Sequence, residues 1–537
     1  MADKNARGKS ADKSLFWADQ IARDVLEREK GLGRVKTIRT EMGMGASGIP
    51  HVGSAGDGVR SYVVNLALKG LGAKSEFIAF SDDRDGLRKI PIGFTRELEK
   101  DIGKPVSMIK DPYGCHKSFG EHISSLLMAA FEKLDVKFEL KRASIEYAKG
   151  TFDKEIVEIL SKAGQAGEII KRITGQEKYL SQLPFLPICK KCGSVYTTTA
   201  YGFDPKAKKI QYKCDQDFIG KNVNTGKDIV VKGCGHEGEC GIRDGKLAWK
   251  VEFAARWRAL KINYEAYGKD ILESVRCNDA VCREMLGWEP PIHSFYEMFT
   301  ERGGKKISKS GGNVFTPDMW MRYASPESLR LLFLKRLGTT RVVDLDSIPA
   351  YMDEVDGLAS LYFGRSKTSN EKELQHMKRL YEYVNLLGKA EDKASIPYNT
   401  LVNIMKLAKD RKVAEQMLIR TGHAKGKDKE IGKRLVYAEN WLKDSGVGSE
   451  TAVKKGQKLS GKQKTALKAF AAGLAKASSE DDIKNLCFDV ANQAGIKPQQ
   501  FFSAAYLALL GQERGPRLAP FILAVGKDKV IKLLKSI

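Results

Sequence analysis

The stretch Gly48-Ile49-Pro50-His51-Val52-Gly53-Ser54 decides how this chain folds. Ahead of it, Val35-Lys36-Thr37-Ile38-Arg39-Thr40 alternates apolar and polar residues, the pattern of a half-buried strand. Behind it, residues 59–68 carry apolar side chains at helical spacing. His51 and Gly53 therefore stand where a strand turns into a helix, with Pro50 suited to the helix's first turn. A helix's amino end offers unbonded N–H groups and the positive end of its dipole, which together bind phosphate.

Far downstream lies Lys306-Ile307-Ser308-Lys309-Ser310, bracketed by Gly303-Gly304 and Gly311-Gly312. Glycines let a backbone come close to a ligand. The ammonium groups suit an anion of high charge density, and hydroxyls and loop amides complete its shell. A triphosphate fits, above all as its charge builds up during chemistry. Alone, the pentamer reads as a solvated basic loop, and the first stretch as a turn with a helix-capping histidine. Together and in this order they resemble the paired ATP signatures of class I aminoacyl-tRNA synthetases.

At 537 residues the chain has room for about three or four domains. A 42% hydrophobic content supports real cores, and 29% charged residues fits a soluble protein. The net charge of +24 points to a polyanionic partner, nucleic acid rather than membrane. No apolar run is long enough to span a bilayer. The opening Met1-Ala2-Asp3-Lys4-Asn5 begins a polar leader without an apolar core, which argues against secretion. Nine cysteines, an odd number mostly in metal-like clusters, imply a reducing cytoplasm.

In chain order, Ser10 or Asp12 can cap a helix carrying Leu15, Ile21, Val25 and Leu26. A second strand, Phe77-Ile78-Ala79-Phe80, runs into Ser81-Asp82-Asp83-Arg84-Asp85-Gly86-Leu87-Arg88-Lys89. That charge either meets a ligand past the strand's carboxyl end or closes a turn on internal ion pairs. A further strand is expected at Val136-Lys137-Phe138-Glu139-Leu140. Between these two strands Asp111, Cys115, His116 and His122 offer oxygen, sulfur and two imidazoles, a mix tetrahedral zinc accepts. The competing explanation is a reactive thiol or capping residues near the active site. The Cys189-Lys190-Lys191-Cys192 knuckle is clearer: with Cys214, Cys234, His236 and Cys240 downstream it reads as a zinc ribbon. Zinc takes four ligands, and the expected set is Cys189, Cys192, Cys214 and then Cys234 or His236. The polar insertion at 215–232 is expected to loop into solvent.

The chain resembles the class I lysyl-tRNA synthetases over nearly its whole length. The likeness is carried by Gly43-Met44-Gly45-Ala46-Ser47-Gly48, the His51 turn, Asp82-Asp83-Arg84-Asp85-Gly86, Gly114-Cys115-His116, Gly245-Lys246-Leu247-Ala248-Trp249, Gly268-Lys269-Asp270, Tyr296-Glu297 and the Lys306 loop. It implies activation of L-lysine by ATP, assisted by Mg²⁺, and transfer to the 3′ end of lysine tRNA. ATP would lie against Ser47, His51, Gly53, Ser54, Lys306, Ser308, Lys309 and Ser310, with His51, Lys306 and Lys309 catalytic. Gly43 and Gly45 would border the amino-acid pocket, Trp249 and Tyr296 would wall it, and Asp270 would make a polar contact or brace the pocket. The sequence departs from many relatives at Gly45, Ser54, Ile271 and Gly312, which touches the pocket contacts rather than the choice of amino acid.

From about residue 317 strand signals fade and helical periodicity dominates, with lysine-rich faces and a basic connection at 422–429. Collectively these lysines form a surface whose RNA binding would weaken as salt rises. The expected architecture is α/β: a Rossmann-like class I synthetase catalytic domain with zinc-binding inserts, followed by an all-α anticodon-binding domain. Its divisions are 1–180 and 246–316 for the two catalytic halves, 181–245 for the ribbon, 317–390 for a helical stem and 391–537 for the anticodon-binding domain. A monomer is expected. The competing readings are a class I synthetase for another amino acid, such as glutamate, and a non-catalytic tRNA-binding paralogue.

Overall fold

The computed structural model describes residues 16–297, 299–300, 315–392, 396–408, 410–420, 424, 428–445, 459–511, 513–515 and 517–537. Lys306, Ser308, Lys309 and Ser310 lie outside the described residues, as do Ser10, Asp12 and Leu15. The chain divides into two compact units. The first comprises Met1–Pro317, Arg330–Val343 and Asn370–Lys389; the second, Asp318–Leu329, Asp344–Ser369 and Ala390–Ile537.

The first unit is built on five parallel strands: β1 (Ile38–Met44), β2 (Ser75–Ser81), β3 (Glu139–Arg142), β4 (Tyr264–Gly268) and β5 (Ile292–Tyr296). Their order across the sheet is β5-β4-β1-β2-β3. The strand expected over 35–40 starts only at Ile38, and its burial does not alternate. A central parallel strand is covered on both faces, so both sets of side chains turn inward. One cover is helix α2 (Val52–Gly70), which packs on β1, β2 and β4. Its Gly58 lies so close that a Cβ there would stand 2.2 Å from Phe131 and 3.0 Å from Met42 Sδ. On another side, Ile78 and Phe80 of β2 share a core with Val251, Ala254 and Trp257 of helix α4 (Trp249–Leu260).

Two local expectations are corrected. Helix α1 (Trp17–Gly31) begins after Phe16 without a side-chain cap, and buries Ala18, Ala22, Val25 and Glu29. Ile21 and Leu26 only flank that row. The third strand starts at Glu139 rather than Val136, because Val136 closes the end of helix α3 (Phe119–Lys133) by donating its N–H to Phe131 O at 2.9 Å.

Between β3 and β4 the chain leaves the sheet through an antiparallel root, Phe185–Pro187 against Gly245–Leu247. The root carries a three-stranded antiparallel ribbon of Thr199–Asp204, Lys209–Lys213 and Glu237–Gly241. The 215–232 insertion does not loop into solvent. It forms the hairpin Phe218–Asn222 and Asp228–Val231, which adds to Lys89–Ile90. Phe218, Ile229 and Val231 pack there on the Leu87, Ile90, Ile102 and Val106 core, apolar contact enough to outweigh the polar composition.

Among the described residues the second unit is helical throughout. Arg434 holds Asp356 through two hydrogen bonds of 2.8 and 2.5 Å, the bidentate geometry that fixes orientation as well as charge. Trp441 Nε1 donates to Leu345 O at 2.7 Å. Ser460 and Ser479 begin helices Gly461–Leu474 and Glu480–Gln493 with capping boxes.

Candidate active site

Strand order reverses on either side of β1, which has β2 on one flank and β4 on the other. Open α/β sheets bind ligands outside the carboxyl ends of the strands at such a reversal. A cavity of about 210 Å³ opens there, lined by Gly43 and Met44 of β1, the start of α2, Asp82 after β2, the first turns of α4, and the ends of β4 and β5.

His51 is the N-cap of α2: its Nδ1 accepts the Gly53 N–H at 3.0 Å. That bond leaves the ring proton on Nε2, where it can be donated. Pro50 precedes the cap instead of entering the first turn. A Cβ on Gly53 would sit 2.6 Å from His51 Cε1, so any side chain there displaces the imidazole. Ser54 lines the same cavity, whereas Ser47 lies half-buried in the turn after β1 and does not line it.

Beneath Gly43 lies a buried charge cluster. Arg256 reaches Glu41 with Nε at 2.6 Å, Asp82 with Nη1 at 3.3 Å and Glu265 with Nη2 at 3.3 Å. Glu265 also accepts the Trp257 indole N–H at 2.6 Å. Glu41 and Glu265 face each other in register on β1 and β4. Burial pushes Glu41 well above the usual carboxylate range and Asp82 up to about 7, against the pull of Arg256. Burial also opposes the guanidinium charge, yet Glu41, Glu265 and Asp82 hold Arg256 above its ordinary range.

Two aromatic residues line the cavity. Tyr296, at the end of β5, donates its hydroxyl to Asp57 Oδ1 on α2, and the Arg60 guanidinium lies 3.9 Å from its ring centre. Trp249 opens α4 and donates its indole N–H to Asp85 at 3.2 Å. Asp270 follows β4 on a short turn; a Cβ on Gly268 would stand 2.6 Å from its carboxylate. The acidic stretch after β2 meets partners from distant segments: Arg256 at Asp82, Ser144 at Asp83, and Lys246 with Trp249 at Asp85.

The structure thus brings Gly43, Gly45, His51, Gly53, Ser54, Trp249, Asp270 and Tyr296 to one cavity. Asp57, Phe253, Arg256 and Glu265 line it too, and none was singled out from sequence as part of it. Their signal was present at Glu265 alone: an acid within Tyr264-Glu265-Ala266-Tyr267, an otherwise apolar strand, demands a partner.

Two further groups carry metal-ligand chemistry. Cys189, Cys192, Cys214 and Cys234 converge, with Sγ–Sγ separations of 3.6 Å (Cys189–Cys234) and 3.7 Å (Cys192–Cys214). A tetrahedron with zinc–sulfur bonds of about 2.3 Å has an edge near 3.8 Å, so the thiols fit zinc. Cys234 completes this set; His236 does not join it and sits beside the Tyr212 ring, 5.9 Å between centres. In the second group Cys115 Sγ lies 3.3 Å from Asp111 Oδ2, 3.1 Å from His116 Nδ1 and 3.2 Å from His122 Nδ1. Asp111 is buried there and also accepts the backbone N–H groups of Tyr113 and His116.

A parallel sheet with this strand order, a histidine-capped helix at its reversal and a helical unit fit a class I aminoacyl-tRNA synthetase, the class whose family model the chain matches. The family description "tRNA synthetases class I (K)" matches residues 15–387, and "Anticodon binding domain" matches residues 442–537. The chain is 41% identical to a lysine–tRNA ligase of Cenarchaeum symbiosum, covering 97% of this chain and 98% of that one. It is 30% identical to a lysine–tRNA ligase of Natronomonas pharaonis, over 98% of each. The chain belongs to the class I lysyl-tRNA synthetases.

Proposed function

We propose that the chain ligates L-lysine to lysine tRNA in two steps. A lysine carboxylate oxygen attacks the α-phosphorus of ATP as the bond to pyrophosphate breaks, giving lysyl-adenylate. A ribose hydroxyl of the terminal adenosine then attacks the lysyl carbonyl and releases AMP. The supporting observation is that the His51–Gly53 end of α2 and the Asp57–Tyr296 pair line one cavity.

Little acid–base chemistry is asked of the protein; positioning and neutralisation of charge carry the first step. His51 Nε2 would donate to the phosphates, Gly53 and Ser54 would give the nucleotide room, and Lys306 and Lys309, with Ser308 and Ser310, would take the departing pyrophosphate. Mg²⁺, carried with ATP, would share that neutralisation. Gly43 and Gly45 would border the amino acid, between the Trp249 and Tyr296 walls. For its ε-ammonium the best-placed carboxylate is Asp57. Asp57 lines the cavity and accepts the Tyr296 hydroxyl there, with the Arg60 guanidinium 3.9 Å away. Asp270 would complete the polar side of the pocket.

ATP–pyrophosphate exchange, run with each standard amino acid, tests the reading. Lysine alone should stimulate it; stimulation by glutamate would make the enzyme a different synthetase, and none at all, with tRNA still bound, a paralogue without catalysis. Asp57→Asn should raise the KM for lysine by about 10- to 100-fold, the loss of one charge-assisted contact, and leave the KM for ATP unchanged. An unchanged lysine KM would remove Asp57 from the pocket.

We assign zinc to both groups: Cys189, Cys192, Cys214 and Cys234 as a closed structural site, and Asp111, Cys115, His116 and His122 as the second. Zinc would staple segments with little core of their own. Metal analysis of the purified protein should find about two zinc ions per chain. Cys192→Ser should remove one of them and expose the ribbon to protease, with the other retained. The anticodon-binding role belongs to the helical carboxyl-terminal region, which we place at 391–537 behind a stem at 317–390. Among the described residues no helix is long and apolar enough to cross a membrane. We place the enzyme in the cytoplasm.

A further inference from the structure

We propose that Asp85 is a positioning residue for amino-acid selection, holding the Trp249 indole as a fixed apolar wall through a carboxylate shared with the buried Lys246. The inference rests on the lysine-pocket reading above.

One oxygen of Asp85 accepts from two donors, the Trp249 indole N–H at 3.2 Å and the Lys246 ammonium. Lys246 is 1% exposed, and its ammonium also lies 2.7 Å from Glu252. Glu252 accepts the Tyr147 hydroxyl proton at 2.8 Å, and that hydroxyl oxygen accepts the Leu247 N–H at 2.9 Å. Asp85 itself is fixed by its backbone, donating to Asp82 O at 3.1 Å and accepting from Val106 N at 2.9 Å. A buried lysine with carboxylates costs more desolvation than well-packed apolar residues of the same volume, so this arrangement is not explained by stability alone. It does fix the direction of an acceptor.

Trp249 needs such an acceptor. It is the first residue of α4, where no side chain caps the helix, and its ring is braced otherwise by Phe253 at 5.6 Å between centres. With its N–H committed to Asp85, the indole has no polar atom left to offer the cavity. What packs on it is an apolar group: the methylene stem of the amino acid. Asp85 thus acts on the substrate only through Trp249.

A double-mutant cycle tests this, read as the KM for lysine with the KM for ATP as internal reference. Asp85→Ala should raise the lysine KM about 10-fold, equivalent to about 1.4 kcal/mol, with the ATP KM within about twofold. Asp85→Asn, which keeps an acceptor facing the indole, should recover most of the loss. In a Trp249→Phe background neither Asp85 change should add anything, because the group it positions is gone. Independent, multiplying effects in the cycle would overturn the inference, as would parallel rises in both KM values. If Asp85→Ala fails to fold because Lys246 is left without its partner, Asp85→Ala combined with Lys246→Met carries the same cycle, and its effect must vanish beside Trp249→Phe. If Trp249→Phe alone leaves the lysine KM unchanged, the pocket reading fails first and takes the inference with it.

Discussion

Replacing Lys309 with alanine is expected to lower lysine-dependent ATP–pyrophosphate exchange by about 10²- to 10³-fold while leaving thermal unfolding unchanged. An ammonium aimed at charge that grows only as pyrophosphate departs stabilises the transition state more than the ground state. Loss of one such donor is worth about 2.7–4 kcal/mol. Because the interaction is made in the transition state, kcat and kcat/KM should fall together. Single-turnover exchange beside calorimetry checks both halves. An undiminished rate would take Lys309 out of the reaction.

The second large effect belongs to Arg256→Met, which should destabilise the first unit by about 3–5 kcal/mol, since it strands buried carboxylates without a counter-charge. Glu41, Asp82 and Glu265 are all buried and share that one guanidinium. The variant's loss should also depend on pH in a definite direction. Burial already holds the folded pKa values of Glu41 and Asp82 above the unfolded ones, and losing the Arg256 charge, which pulls both down, raises them further. The stability they permit is then present below about pH 4 and falls as the pH rises through the folded values. Thermal melts of Arg256→Met and wild type should therefore converge in mild acid and separate towards neutrality. Melts that stay parallel would show that the acids lack this dependence on Arg256.

What could be read from the residues followed from local physics. The His51 turn was legible because a strand pattern stops, glycines intervene and a helical pattern starts within a few residues. The knuckle at Cys189 and Cys192 was legible because its spacing is short. The fourth thiol was not: Cys234 and His236 are equally plausible by spacing. Gly235 at φ +71° turns the chain between them, carrying one side chain in and the other out. Likewise the role of Arg256 was not legible, because it gathers Glu41 and Asp82 from segments far away in sequence. Charge pairing across such distances leaves no periodic trace. The 215–232 hairpin was missed because its polar, lysine-rich composition resembles a loop, while three of its side chains carry the packing.

The strand order has a cost in time. Thr40 of β1 pairs with Tyr264 of β4, which lies 224 positions further along the chain. At about 5–20 residues per second the ribosome takes on the order of 10–45 s to supply that partner. Through this interval one edge of β1, the middle strand of the catalytic sheet, waits with its backbone donors and acceptors unpaired, an invitation to pairing with other nascent chains. Chains stalled before Tyr264 should be the species that chaperones capture and that precipitate when chaperones are scarce.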